Sequence, residues 1–452
     1  MFSTEVQQTS PLLPGLSYNH PFSLMQKILF LSGWLGLIVG VALAAQKPMQ
    51  TTDFIYEPQI KTVLFYPAGP DAVAAPLQAP VVSLQGSPLI IEFDELGDKI
   101  NYYRAKLFFC NTDWNISNLS DMDFLDRFND FIFDQPRLSG SNAQVLYTHQ
   151  RLEVPRVKLP GNYLLMVYRE GNVKDIVITR RFVVYDNRIT IIPRITFSPG
   201  VMEKNTNQQI EFTLNYGSLN VGNPWTDLKV VIRQNYLWHN AITNLRPTAV
   251  REDQRIAEYQ HFNLENNFPG SNEFRFFDIR SSRSIGQNVA RIIPGQDTVR
   301  ALLATNTARG REAYTQVVDQ NGRFIVDQYE LSNGDTEADY LRIHFTLKAD
   351  PLKEPVHIWG ALTDWRINNE NRMTYDATTE LYRGSLLLKQ GYYNFKYVVD
   401  RPGKALDQTF LEGNHFETEN VYEVIVYNRP PGARADIIIG YTMIPHNQRQ
   451  RR

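Results

Sequence analysis

The chain has 452 residues, and 46 Lys and Arg against 48 Asp and Glu leave a net charge of −2. That balance disfavours nucleic acid as the main partner, since such proteins carry a basic excess. With 43% hydrophobic and 21% charged residues, the chain is neither disordered nor a multi-span membrane protein. Aromatics at 12%, with 26 Gly and 25 Pro, fit strands punctuated by turns, in roughly two to four domains.

Lys27 precedes the apolar run 28–41, which closes on Ala42-Leu43-Ala44. A basic residue, an apolar core and a small-x-small triplet predict a signal peptide cleaved before Ala45, so the mature chain is exported. A permanent anchor is the alternative, but the run is short for a span. Residues 1–44 are therefore expected to be a pre-signal region plus signal peptide, with Met25 an alternative start. Cys110 is the only cysteine, which excludes an intramolecular disulfide and gives no support to a Cys-based zinc site.

Past the signal, the chain reads as successive strands. The run 163–168 is apolar on both faces and predicts a central strand. Runs 210–216, 228–233 and 341–347 alternate apolar and polar residues, as half-buried strands do. Leu125, Phe128 and Phe131, spaced at three, allow either a short helix or an irregular crossover over 120–133. Asn321-Gly322, between Val317-Val318 and Phe324-Ile325-Val326, predicts a hairpin. The expected fold is all-β: tandem immunoglobulin-like, early-set β-sandwich domains over 45–187, 188–330 and 331–452. The third unit is expected to end near Tyr441, with a basic disordered tail from Pro445.

The usual chemistries are missing. The sequence contains no G-x-x-x-x-G-K-[ST], G-x-G-x-x-G, G-x-S-x-G or H-E-x-x-H. Asp121, Asp123, Asp126 and Asp130 lack EF-hand spacing and read as caps and turns rather than a calcium site. Asp94-Glu95 are adjacent on a strand and point to opposite faces, a poor geometry for acid–base work. His344 reads as an outward surface residue. Asn115-Ile116-Ser117 and Asn118-Leu119-Ser120 match the glycosylation sequon, which matters only in a eukaryotic host. No enzyme, metal, cofactor or small-molecule substrate is expected.

Two sets of residues carry a resemblance. The first runs through Ile60-Lys61-Thr62-Val63, Cys110-Asn111-Thr112-Asp113-Trp114, the segment 124–130, Tyr147-Thr148-His149, Leu159-Pro160-Gly161-Asn162-Tyr163 and Thr179-Arg180-Arg181-Phe182. The second comprises the segment 334–340, Trp359-Gly360-Ala361-Leu362-Thr363-Asp364-Trp365 and the segment 412–420. In this order they resemble the plug protein family of the type IX secretion system of Bacteroidota. The resemblance implies a periplasmic protein on the inner side of the outer membrane. It would bind and seal the periplasmic mouth of the giant β-barrel translocon (SprA or Sov) between export events. It implies no catalytic or cofactor residues and leaves the barrel-contacting side chains unknown. Loop aromatics Trp114, Trp238 and Tyr236 are candidates for either that contact or the core.

A second similarity lies within the third unit. Trp359 to Trp365, followed by Gly391-Tyr392-Tyr393-Asn394-Phe395-Lys396-Tyr397, looks like a glycogen-binding-type sandwich module. It implies shared fold before shared sugar binding. The alternative function is accordingly an envelope carbohydrate-binding protein, and at least two of Phe395, Tyr397 and Val399 are expected in the core.

Overall fold

The computed structural model describes residues 47–447 apart from positions 72, 142, 218 and 332–333. The expected signal peptide and the last five tail residues lie outside the described residues. Those from Lys47 onward fall in one compact unit built of paired sheets.

The N-terminal sandwich sets strands Phe54–Ile55, Ile176–Tyr185, Gly161–Arg169, Tyr103–Cys110 and Phe131–Ile132 against Ile60–Pro67, Leu89–Leu96, Tyr147–Val154 and Arg137–Leu138. Gly161–Arg169 lies between two long partners and is buried on both faces, as its unbroken apolar sequence predicts. Phe93, Leu107, Phe109, Tyr163 and Phe182 share one core. The segment 120–133 combines both expected forms. A single helical turn, Asp121–Phe124, is held by a reciprocal cap between Ser120 and Asp123, and an irregular crossover follows.

The next two sandwiches are interleaved along the chain. One sheet of the middle sandwich holds Thr190–Phe197, Asn207–Asn215, Ile256–Tyr259 and Ala249–Arg251. Its other sheet runs Ile242–Leu245, Leu228–Gln234, Asn420–Asn428, Ile437–His446. The last two strands of the chain therefore complete the middle core, where Tyr422, Val424 and Val426 pack with Ile210 and Phe212. The third sandwich draws Arg275–Asp278, Val289–Ile293, Arg300–Leu303 and Phe324–Val326 into sheets with Tyr340–Lys348, Val356–Trp359, Leu381–Lys389 and Gly391–Val399.

The sheets thus depart from the expected ranges. The 330/331 division falls inside the third sandwich, because strand pairing joins residues far apart in sequence. Strand Leu228–Gln234 is also buried on both faces from Val230 onward, not half-buried. It sits between two partners and is covered on its outer side, where Val231 packs with Val183 of the N-terminal sandwich. Strand Ile437–His446 carries the sheet past Tyr441, so Pro445 and His446 are ordered by pairing with Val421 and Asn420.

The Asn321-Gly322 turn forms, with φ of 50° and 80°, but no hairpin results. Strand Phe324–Val326 pairs with Gly391–Val399, whereas residues 313–320 are not strand. The Asp319 carboxylate accepts the backbone N–H groups of Phe274 and Asn321, which pins the chain before the turn. A Cβ at Gly322 would lie 2.4 Å from Trp365 Cη2 and 2.5 Å from Phe274 Cε1, so glycine is required by space as well as by φ.

Candidate functional site

Asp94 and Glu95 do project to opposite faces of Leu89–Leu96. Glu95 accepts from Asn101 and Arg169. Asp94, 1% exposed, receives His149 Nδ1 at 2.8 Å, Tyr340 Oη at 2.7 Å and Lys389 Nζ at 2.7 Å. Lys389 and Tyr340 belong to the third sandwich, and Lys389 also donates to the Asp335 carbonyl at 2.5 Å. Burial pushes the Asp94 carboxyl up, but Lys389 and His149 outweigh it and hold it below the usual carboxylate range. Glu92, His149 and Asp335 each bring a ligand-type atom within 4.8 Å of the others. Glu92 is engaged by Tyr66 at 2.8 Å and Arg151 at 3.3 Å, and Asp335 by Arg137 at 3.0 Å. Each acid therefore has a donor partner, and among the described residues no hydroxyl or thiol hydrogen-bonds His149 to act as a nucleophile. This cluster is a joint.

A second buried charge cluster lies within the third sandwich. Glu412, fully buried, accepts Arg275 Nε at 3.0 Å, Arg309 Nε at 2.6 Å and the Tyr397 N–H at 2.8 Å. Arg180 of the N-terminal sandwich pairs with Asp364 of the third at 2.8 Å. Ion pairs with little solvent access tie the N-terminal and third sandwiches together. The middle sandwich joins the N-terminal one through the apolar contact of Val183 with Val231 and the Tyr427 hydroxyl, which donates to Asn162 Oδ1 at 2.9 Å.

The loop aromatics singled out from the sequence face these joints. Trp114 is 5% exposed and meets Trp238 edge-on at 4.8 Å. The Arg181 guanidinium lies 4.3 Å from the Trp114 ring, and Arg323 lies 5.2 Å from the half-buried Tyr236. The residues of the glycogen-binding resemblance are likewise interior. Trp359 is fully buried and donates Nε1 to the Trp365 carbonyl at 3.1 Å, while Phe395 and Tyr397 are each 1% exposed. His344 is half-buried on its strand. Of the acidic set, Asp123, Asp126 and Asp130 pair with Arg434, Lys158 and Arg104.

The exposed apolar surface lies elsewhere. Strand Asn207–Asn215 pairs Gln208 with Phe197 and Phe212 with Tyr259, which brings the loops 198–206 and 260–266 to one end of the middle sandwich. That end presents Val201 (91% exposed), Met202 (84%), Phe262 (81%) and Phe197 (55%). Its backbone is fixed beneath them: the Gln209 side chain donates to the His261 carbonyl, and the Asn207 N–H to the Glu203 carbonyl. Phe197 stacks on Phe416 at 4.0 Å. A protein with this surface offers apolar anchors on a firm base, which suits macromolecular docking more than chemistry. Sequence reading missed these residues. The usable signal was an apolar pair directly after Pro199-Gly200, and Phe262 and Leu264 set among turn-forming asparagines.

Residues 60–186 match the family model for the type 9 secretion system plug protein first domain. The chain belongs to the type IX secretion plug family. A crystal structure of a hypothetical protein from Parabacteroides merdae is similar throughout, with 30% identity and a TM-score of 0.82, over 88% of this chain and 100% of that one. None of the curated proteins searched matches. Plug-family membership gives the chain a role related to type IX secretion. No helix among the described residues is long and apolar enough to cross a membrane.

Proposed function

We propose that this protein is the periplasmic plug of the type IX outer-membrane translocon, a very large β-barrel of the SprA or Sov kind. It seats against the barrel's periplasmic mouth and keeps it sealed between export events. Membership of the plug family carries this reading. The architecture supports it physically. A seal needs a broad body that resists deformation and a contact surface, with no reactive group. Three sandwiches joined through buried ion pairs and an apolar seam supply the body. The apolar end at Val201, Met202 and Phe262 supplies anchors, and a near-neutral surface suits a contact that must release. A specific contact of this kind buries at least about 1,000 Å².

The test is affinity purification from the native host through a C-terminal tag, after mild detergent solubilisation. Recovery of a very large outer-membrane barrel at near-equal stoichiometry is expected. Elution of the protein alone would overturn the proposal.

A further inference from the structure

A cavity of about 410 Å³ opens where the three sandwiches meet. Five arginines line it: Arg180 and Arg181 from the N-terminal sandwich, Arg233 from the middle one, and Arg323 and Arg366 from the third. Only two carboxylates, Asp53 and Asp364, share the lining. Asp364 pairs with Arg180, and Arg233 pairs at 2.7 Å with Glu423 outside the cavity. Arg181, Arg323 and Arg366 make no ion pair among the described residues. Arg181 Nε donates to the Thr51 carbonyl at 2.7 Å, Arg323 reaches only the Gln78 carbonyl at 3.4 Å, and Arg366 bonds the Ile55 carbonyl at 3.1 Å. Five guanidinium groups thus face three carboxylates.

The donors have capacity to spare. Arg233 is 3% exposed, and its Nε has no hydrogen-bond partner. Arg181 and Arg233 flank the same Trp238 ring, at 5.6 and 4.1 Å from its centre. Burial lowers both Arg181 and Arg323 from the usual arginine range. Asp53 opposes this at Arg181, Tyr236 and Glu423 oppose it at Arg323, and Arg233 adds a smaller push downward at both. Burying such an excess is costly unless something anionic completes it. Phe65, Leu237 and Trp365 add apolar wall, beside the polar Thr52, Tyr236 and His239, and leave room for an organic body beside the anion. The signature segments 179–182 and 359–365 converge here through Arg180-Arg181 and Asp364-Trp365, and Trp114 of the segment 110–114 packs on the lining residues Trp238 and Arg181.

We propose that this cavity binds a phosphate-bearing organic molecule, its phosphate held by Arg181, Arg233 and Arg323 and its body against Trp365 and Leu237. Guanidinium forks match phosphate oxygens in pairs, and a dianion equals the excess of two positive charges. The phosphate comes either from a soluble ester or from a lipid headgroup. The site is independent of the docking end and does not rest on the plug reading.

The test uses the full mature chain, titrated calorimetrically with glycerol 3-phosphate against sodium chloride at equal ionic strength. In parallel, flotation is measured with phosphatidylcholine vesicles with and without phosphatidic acid. Saturable glycerol phosphate binding is expected, weakened about tenfold or more in Arg323→Gln and Arg181→Gln and unchanged in the exposed control Arg311→Gln. Flotation only with phosphatidic acid, lost in Arg323→Gln, would support the proposal with a headgroup source. Binding of glycerol phosphate without flotation would support it with a soluble one. Absence of both, or undiminished binding by folded Arg323→Gln and Arg181→Gln, would overturn it.

Discussion

Two buried clusters of charge in this protein differ in one respect. Around Asp94, each acid meets a cation or hydroxyl donor, and the cluster joins two sandwiches. Around Arg233, guanidinium groups outnumber carboxylates and enclose a cavity. Both lie where sandwiches meet, and both use residues far apart in sequence. Matched charge acts mechanically, since nothing remains to recruit. Unmatched charge is a binding potential left open. A plug needs the first kind; the second implies a ligand.

The comparison is broken most severely by removing one matched partner. Lys389→Met leaves Asp94 without its cation, in a site that is 1% exposed. A loss of about 3–5 kcal/mol is expected in urea unfolding. Asp94→Asn combined with Lys389→Met is expected to cost clearly less than Lys389→Met alone, because no bare charge remains.

A smaller effect comes from a third cluster, where the unmatched charge is negative. Glu273 accepts the Tyr314 hydroxyl at 2.5 Å and the Glu419 N–H at 3.0 Å. Burial, then Asp319, pushes its carboxyl up to about 7 from an ordinary 4.5. The folded state thus holds a proton that the unfolded state releases earlier. This group's contribution is greatest below pH 4.5 and falls as pH rises through 7, by about 1–3 kcal/mol. Urea midpoints between pH 5 and 8 should fall in the wild type and be flatter in Glu273→Gln.

The unmatched arginines sharpen the contrast. Arg323→Gln removes a cation with no ion-pair partner, so unfolding free energy should change by less than about 1 kcal/mol or rise. The same substitution on the Asp94 side would be severe. The smallest effect on stability is expected at the exposed end. Phe262→Ser with Met202→Ser should alter stability by no more than about 0.5 kcal/mol. Recovery of the translocon barrel in affinity purification should nevertheless drop sharply.

The all-β class was legible because alternation and turn chemistry are local. Leu341 to Leu347 alternates in sequence and in burial, and Tyr163 to Tyr168 is apolar and central. Which strands share a sandwich was not legible. The pairing of Leu228–Gln234 with Asn420–Asn428 spans about half of the mature chain, and local patterns do not encode such partners. The same limit hid the cavity. Arg180, Arg181, Asp364 and Trp365 stood inside signature segments, but their convergence is tertiary. Arg233 left one clue, a cation in the otherwise apolar run Val230-Val231-Ile232. Trp114 was rightly open to a core role, and its ring lies beneath Arg181.

Sealing itself is the central claim, and outer-membrane permeability tests it most directly. Uptake of a large antibiotic that ordinary porins exclude should be compared in native-host cells with and without this protein, each with the translocon present or deleted. The account predicts that losing the protein raises uptake only when the translocon is present, and that restoring it reverses the leak. Unchanged uptake, or an equal rise without the translocon, would contradict it.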